Sequence, residues 1–275
     1  MKTFNFIFTL LLCIFSISAN ASHFNKVLVI VFENTDYKKA IMQPYFSSLM
    51  KDGAIFSNFK AVTHPSQGNY VAMIAGSTFG IKDDKNIDLN ERHIGDLLEE
   101  SHRNWKIYAE GYPGNCFTDR TSGNYARKHV PFLSFTNVTK NPLRCSKVVE
   151  AKEFFSDFES MKLSDFSMFI PNLKNDGHDT GVAFGDVWLK KNFDSILHSK
   201  KFPSDLLVVI TFDEGMSADN QIYTLFYGAG VLKGARSIKP YNFYSLLKTY
   251  EDELEIGSLN QNDMRASIID DVWSN

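Results

Sequence analysis

Three short runs, "KVLVIVF" (26–32), "FSMFI" (166–170) and "DLLVVITF" (205–212), are almost wholly apolar and rich in β-branched or aromatic residues. A run of that length without polar alternation has to be covered on both faces, which is the condition of a strand in a parallel sheet flanked by helices. "IYTLFYG" (222–228) reads as a fourth strand. The segments between repeat at helical spacing: "GDLLEESHRN" (95–104), then Phe154, Phe155, Phe158 and Met161, then Trp188, Leu189, Phe193, Ile196 and Leu197, and finally "YNFYSLLKTYEDEL" (241–254). Strands alternating with helices predict a single α/β domain of three layers around a mostly parallel central sheet. The aromatic stripes are expected in its core, and 275 residues with 44% apolar content can fill one.

The N-terminus reads as an export signal. Lys2 gives the positive start, "FIFTLLLCIFSI" the apolar centre, and Ala19-Asn20-Ala21 a cleavage site, so the mature chain is expected to begin at Ser22. No later apolar run approaches the roughly 18 residues of a membrane span, and stable membrane insertion is not expected. Cys13 lies within the signal, which leaves Cys116 and Cys145. Two cysteines in an exported chain tend to pair, and this bridge would stabilise by about 3 kcal/mol in the chain-entropy picture. Between 111 and 147 the strand–helix pattern breaks in a Gly- and Pro-rich stretch that holds both cysteines, read as a loop-rich insertion pinned by the bridge. A net charge of −3 without a basic block argues against a nucleic-acid surface. Nothing in the sequence indicates an oligomeric state.

Chemistry concentrates where the apolar strands end. The first run leads into Glu33-Asn34, the third into Asp213-Glu214, and the second into "NLKNDGHD" with Asp176, His178 and Asp179. Ligands of open α/β sheets bind beyond the carboxyl ends of the strands, so these groups are delivered to one edge. Neighbouring strand residues point to opposite faces, and each acidic pair can converge only where its strand has ended and the chain turns. Carboxylates gathered in one cleft repel unless protonated or neutralised by a cation, and an oxygen-rich set suits a hard divalent metal, with zinc also a candidate. Singly, an acidic dipeptide after a strand is usually a solvated turn.

"AVTHPSQGNYVAMIAGST" (61–78) runs a β-prone segment into His64-Pro65-Ser66 and then a helix expected over roughly 66–76. Serine at a helix start is ordinarily a cap. The same place suits a nucleophile for phosphorus, because free backbone N–H groups and the helix dipole favour an anion there. A metal alongside would lower the hydroxyl pKa. His64 would then donate to a phosphoryl oxygen or protonate a leaving group; its plain alternative is a loop histidine with a structural hydrogen bond.

"VFENTDY", "AVTHPSQGNY", "YARKHVPF", "PNLKNDGHDT", "TFDEG" and "YNFYSLLKTYEDELEIGSL", in this order from Val31 to about Leu259, resemble the phosphoesterase family of bacterial phospholipases C and acid phosphatases, within the alkaline phosphatase-like superfamily. The length is closer to the shorter acid phosphatase-like members. The resemblance implies that Ser66 attacks phosphorus and forms a phosphoseryl intermediate. It implies metal ligation by Glu33, Asn34, Ser66, Asp213 and Glu214, with Asn34, His64 and His178 around the phosphoryl group and His178 or Asp179 assisting the leaving group. Lys128 and His129 fall in a recurring Arg-Lys-His segment, for which a structural salt link is expected. Phe243 stands where many relatives have a histidine, which argues against a two-zinc site and favours one divalent ion (Mg, Ca, Mn or Zn). The reading is an exported, metal-dependent phosphoric monoester hydrolase acting on a phosphate ester. Its rivals are a phospholipase C, which would need an apolar rim, and an inactive secreted binding protein, which would need a broken ligand set.

Overall fold

The structure, a computed structural model, describes residues 22–274. The expected signal up to Ala21 lies outside the described residues. The central sheet has eight strands: β1 (Lys26–Phe32), β2 (Ala54–Phe56), β3 (Trp105–Ala109), β4 (Val148–Glu150), β5 (Phe166–Ile170), β6 (Leu206–Phe212), β7 (Thr224–Gly228) and β8 (Arg236–Ser237). Their order across the sheet is β8-β2-β7-β6-β1-β5-β3-β4. Only β7 runs against its neighbours. The three apolar runs are thus the three central strands, and β1, β5 and β6 are buried along almost their whole length.

Alternation along these strands sorts the helices into two layers. Phe32 and Phe169 face one side, where Phe32 meets Phe46 and Trp188, and Phe169 meets Phe154, Trp188 and Phe193. That layer holds the helices Pro44–Leu49, Lys152–Glu159 and Val182–Leu197. Phe166, three residues from Phe169, points to the opposite side and packs on Tyr250 of the helix Phe243–Glu253. The helix Ser66–Ala75 packs against that helix, so it lies on the same side.

Several boundaries differ from the sequence reading. The helix expected over 95–104 is Ile94–Glu100, and β3 begins at Trp105. Lys106 and Tyr108 alternate with apolar residues there, and the mixed pattern hid the strand. Met161 is 76% exposed and lies past the end of its helix in a left-handed conformation (φ 56°), so it is not core. The 111–147 stretch is more than a pinned loop. Its cysteines are bridged, with Cα atoms 5.6 Å apart, yet Phe132, Leu133, Phe135 and Val138 enter the main core. No helix among the described residues is long and apolar enough to cross a membrane.

Candidate active site

The register of the central strands places the acids. Phe32 pairs with Phe212 across β1 and β6, so Glu33 and Asp213 are the next residues in register and continue onto the same face. That face is the one covered by the helix Ser66–Ala75. The ladder runs one step further, with the Asp213 N–H donating to the Phe32 carbonyl at 2.9 Å and the Glu33 N–H to the Asp176 carbonyl at 3.0 Å. After Glu33 the chain turns sharply. Asn34 has φ 28°, a left-handed geometry that Asn tolerates better than most residues, and its N–H donates to Asp213 Oδ1 at 3.1 Å. The turn brings both members of each acidic dipeptide to one point.

Ser66 is the first residue of its helix and does not cap it. Pro65 occupies the cap position without a side-chain bond. The Ser66 hydroxyl instead lies 3.0 Å from Glu214 Oε1, 3.3 Å from Glu33 Oε2 and 3.5 Å from Asn34 Oδ1, and it is almost fully buried. One hydroxyl proton can serve only one of these acceptors well. His64 Nδ1 bonds Glu214 Oε2, and its ring remains about half exposed beside the serine. His178 Nδ1 sits 2.7 Å from Asp179 Oδ1. Both side chains are exposed, and neither is hydrogen-bonded to Ser66, so they border the cluster without touching the serine.

The sequence pointed to Lys128 and His129 only as a structural segment. Lys128 does pair with Asp84, at 2.8 Å. His129, however, is buried inside the acid cluster. Its Nε2 is 3.1 Å from Glu33 Oε1, off-line for a hydrogen bond, and its Nδ1 is 3.6 Å from Asp176 Oδ2. Tyr70 of the serine helix stacks on its ring at 5.0 Å. Two short 3₁₀ turns, Arg127–His129 and Pro131–Ser134, lead the chain inward here, and no local pattern announces them. Asp84 was missed as well. It accepts from the Gln67 N–H at 3.1 Å, so a first-turn amide expected to be free is taken. Phe243 is wholly buried against Phe59 as an ordinary core residue.

The electrostatics are those of a cluster short of positive charge. Burial, then Asp176, raises Glu33 to about 8. Asp176 rises to about 8, from burial and then the neighbouring Asp213 and Asp179. Asp213 is pushed well above the carboxylate range by burial, Glu33 and Glu214. Burial, Lys128 and His178 hold His129 well below its ordinary value, so it is neutral and brings no charge.

A divalent cation fits the donors present. Glu33 Oε1, Asp176 Oδ2 and Asp213 Oδ2 are buried without a partner. The Asn34 amide lies among the acids, where its nitrogen can donate to Glu214 Oε1 at 3.3 Å and Glu33 Oε2 at 3.1 Å. Among the described residues no three His, Cys, Asp or Glu side chains are placed to hold a metal ion by themselves. The donor set is completed by a hydroxyl and an amide.

The sequence pattern of the phosphoesterase family matches residues 33–257, from the first acidic dipeptide to beyond the last helix. The chain belongs to the phosphoesterase family. A probable acid phosphatase of Kluyveromyces lactis is 33% identical over 263 residues, covering 90% of this chain and 62% of that protein. The acid phosphatase of Aspergillus fumigatus is also 33% identical, with 90% and 59% covered. The chain therefore spans about six tenths of the length of these two phosphoesterases. A phosphatidylinositol-3-phosphatase of Mycobacterium tuberculosis is 34% identical over 259 residues, covering 91% of this chain and 83% of that protein. Among solved structures, an alkaline phosphatase superfamily protein from Vibrio parahaemolyticus superposes with a TM-score of 0.60 at 14% identity, over 89% of this chain and 72% of that one. The lipoteichoic acid synthase LtaP of Listeria monocytogenes gives 0.58 at 12% identity, over 90% and 77%. These likenesses establish the fold, an α/β sheet with helices on both faces, as expected from the three apolar runs.

Proposed function

We propose that the chain is an exported, metal-dependent phosphoric monoester hydrolase that works through a phosphoserine at Ser66. The observation that carries the reading is the Ser66 hydroxyl, held at the start of its helix within 3.5 Å of Glu33, Asn34 and Glu214. Relatives named acid phosphatase and phosphatidylinositol-3-phosphatase support the reaction class. One divalent ion held by Glu33, Asn34, Ser66, Asp213 and Glu214 would supply neutralising charge and a lowered hydroxyl pKa. The Cys116–Cys145 bridge accords with an oxidising compartment.

The residues divide the work. Ser66 Oγ forms the bond to phosphorus as the bond to the leaving oxygen breaks, and its proton passes to the surrounding carboxylates. His64 is oriented through Nδ1 by Glu214, and its half-exposed Nε2 side is free to give the departing alkoxide a proton. In the second step water attacks the phosphoserine and gives a proton to His64, the carboxylates return to Ser66 Oγ the proton they took, and phosphate leaves with the serine restored. His129, neutral and stacked on Tyr70, holds the Glu33 and Asp176 side chains apart. Helix start, carboxylates and histidine are fixed before substrate arrives, and such preorganisation supplies most of the rate in phosphoryl transfer.

The deciding experiment offers the purified protein p-nitrophenyl phosphate, bis-p-nitrophenyl phosphate and p-nitrophenyl phosphorylcholine, with and without chelator, followed by an acid quench and mass mapping. Monoester turnover that chelator abolishes, with phosphate trapped on Ser66, is the expected result. Preference for the choline diester would establish the phospholipase instead. No turnover with any of several divalent metals would leave a binding protein.

A further inference from the structure

Lys128, in the 3₁₀ turn that leads into the acid cluster, feels the charges of both Glu33 and Asp213. Its Nζ is 2.8 Å from Asp84 Oδ2, and that lysine side chain is less than one-fifth exposed. The other oxygen of Asp84 accepts from the Gln67 N–H at 3.1 Å. Gln67 directly follows the nucleophile. A single carboxylate therefore bridges the first-turn amide of the serine helix and the lysine, in the arrangement two oxygens of a phosphoryl group would adopt. Burial works against the Lys128 charge, but Glu33, Asp84 and Asp213 outweigh it and raise its pKa above the ordinary value.

The charge balance gives this lysine a task. Glu33, Asp213 and Glu214 face Ser66 together, and one divalent ion cancels two of their charges. A phosphate monoester brings two negative charges, a diester only one. His129 is neutral and His64 serves the leaving group, so among these groups Lys128 is the positive charge left for a second phosphoryl oxygen.

We propose that Lys128 is a substrate-binding residue that selects dianionic monoesters over diesters, and that Asp84 holds its place in the free protein as a phosphate-like carboxylate that substrate displaces. The proposal rests on the phosphatase reading of the Ser66 site and adds its substrate preference. It departs from the purely structural salt link expected from the sequence, because a structural latch has no reason to distinguish two esters.

The test compares Lys128→Met, Lys128→Arg and Asp84→Asn with the wild-type chain, each saturated with the divalent metal that supports turnover, on p-nitrophenyl phosphate and bis-p-nitrophenyl phosphate. Lys128→Met is expected to lower monoester kcat/KM by about 100-fold, the scale of one lost charge contact to a phosphoryl oxygen, and diester kcat/KM by less than about fivefold. Arginine is expected to restore at least about a tenth of the monoester rate. Asp84→Asn keeps an oxygen for the Gln67 amide while removing the competing charge. It is expected to tighten inorganic phosphate binding about threefold or more in calorimetry, where a structural latch would weaken it. Equal losses on both esters, or phosphate binding unmoved by Lys128→Met and weakened by Asp84→Asn, would overturn the proposal. Should Lys128→Met fail to fold, Lys128→Arg and Asp84→Asn carry the same comparison, and a monoester-to-diester ratio unmoved in both overturns it. A wild-type chain silent on both esters would instead overturn the phosphatase reading, and phosphate calorimetry would still judge the lysine.

Discussion

Two buried acid clusters lie at the two ends of one helix, about 15 Å apart by its ten residues, and they are built in opposite ways. At the C-terminal end Asp263 accepts from the backbone N–H groups of Leu259, Asn260 and Gln261 and from the Ser258 hydroxyl. Glu251 accepts from the Leu259 N–H beside it. The Gly76 carbonyl that ends the helix is bound by Asn262 through both its backbone and its side chain. A Cβ on Gly76, which has φ 66°, would collide with Asp263 Oδ1. This cluster is nearly closed: both Asp263 oxygens and Glu251 Oε1 have donors from the same short loop, and Glu251 Oε2 alone is left without one. At the N-terminal end Glu33, Asp176 and Asp213 keep buried oxygens without donors, and the hydroxyl between the acids belongs to a serine with no cap to make. Burial raises carboxylate pKa values at both ends. The pKa shift alone cannot tell a loop fastener from a reaction centre; the supply of donors can.

Substitutions that act on one end and spare the other sharpen the contrast. Ser66→Ala is expected to cut monoester turnover at least about a thousandfold, with Tm close to wild type; activity within tenfold of wild type would remove the nucleophile. Asp213→Asn is expected to lower metal affinity and turnover by about 100-fold or more while making the metal-free chain more stable, since it relieves the repulsion from Glu33 and Glu214. Metal content by mass spectrometry and chemical denaturation read the two effects, and loss of stability without loss of metal would refute the assignment. Asp263→Ala is expected to do the reverse, costing about 2–4 kcal/mol by removing the acceptor of four donors, of which the Leu259 N–H alone keeps Glu251, while leaving metal binding unchanged.

The smallest expected effect is a pH dependence. Burial, then the neighbouring Asp263, raises Glu251 from 4.5 to about 8 in the folded protein. A raised folded pKa means that the contribution of Glu251 is fully present below pH 4.5 and is lost as pH climbs toward 8. Glu251→Gln keeps an acceptor for Leu259 and cannot ionise. The variant and wild type should be about equally stable near pH 4.5, and the variant should lead by up to a few kcal/mol above pH 8. Parallel stability curves would show that Glu251 is not held protonated.

Much of this was legible in the sequence, for a physical reason. The central strands are covered on both faces, so their sequences are continuous apolar runs, and β1 (Lys26–Phe32) and β5 (Phe166–Ile170) begin and end where the runs do. Acids just past a buried strand stand out against such a run, and the register that sets Glu33 beside Asp213 follows from a parallel pair of equal reach. The serine helix was foreseen to within one residue. What escaped was carried by irregular backbone. Asp84 sits on a loop without regular structure, and His129 enters the cluster through a 3₁₀ turn. Their positions depend on where distant chain ends pack, a long-range matter with no periodicity to betray it. The Arg-Lys-His segment stands out in the sequence, but its spacing from the acids gives no sign that the lysine and histidine reach the same centre.

One titration goes to the heart of the account. Chelator-treated protein is titrated with a divalent cation in a calorimeter, wild type beside Glu33→Gln and Asp213→Asn. One ion per chain in the wild type, with affinity reduced about 100-fold or more in each variant, is the predicted result. A wild-type chain that takes up no ion, or variants that bind as well as wild type, would mean that the serine and the two acidic turns do not meet around a metal.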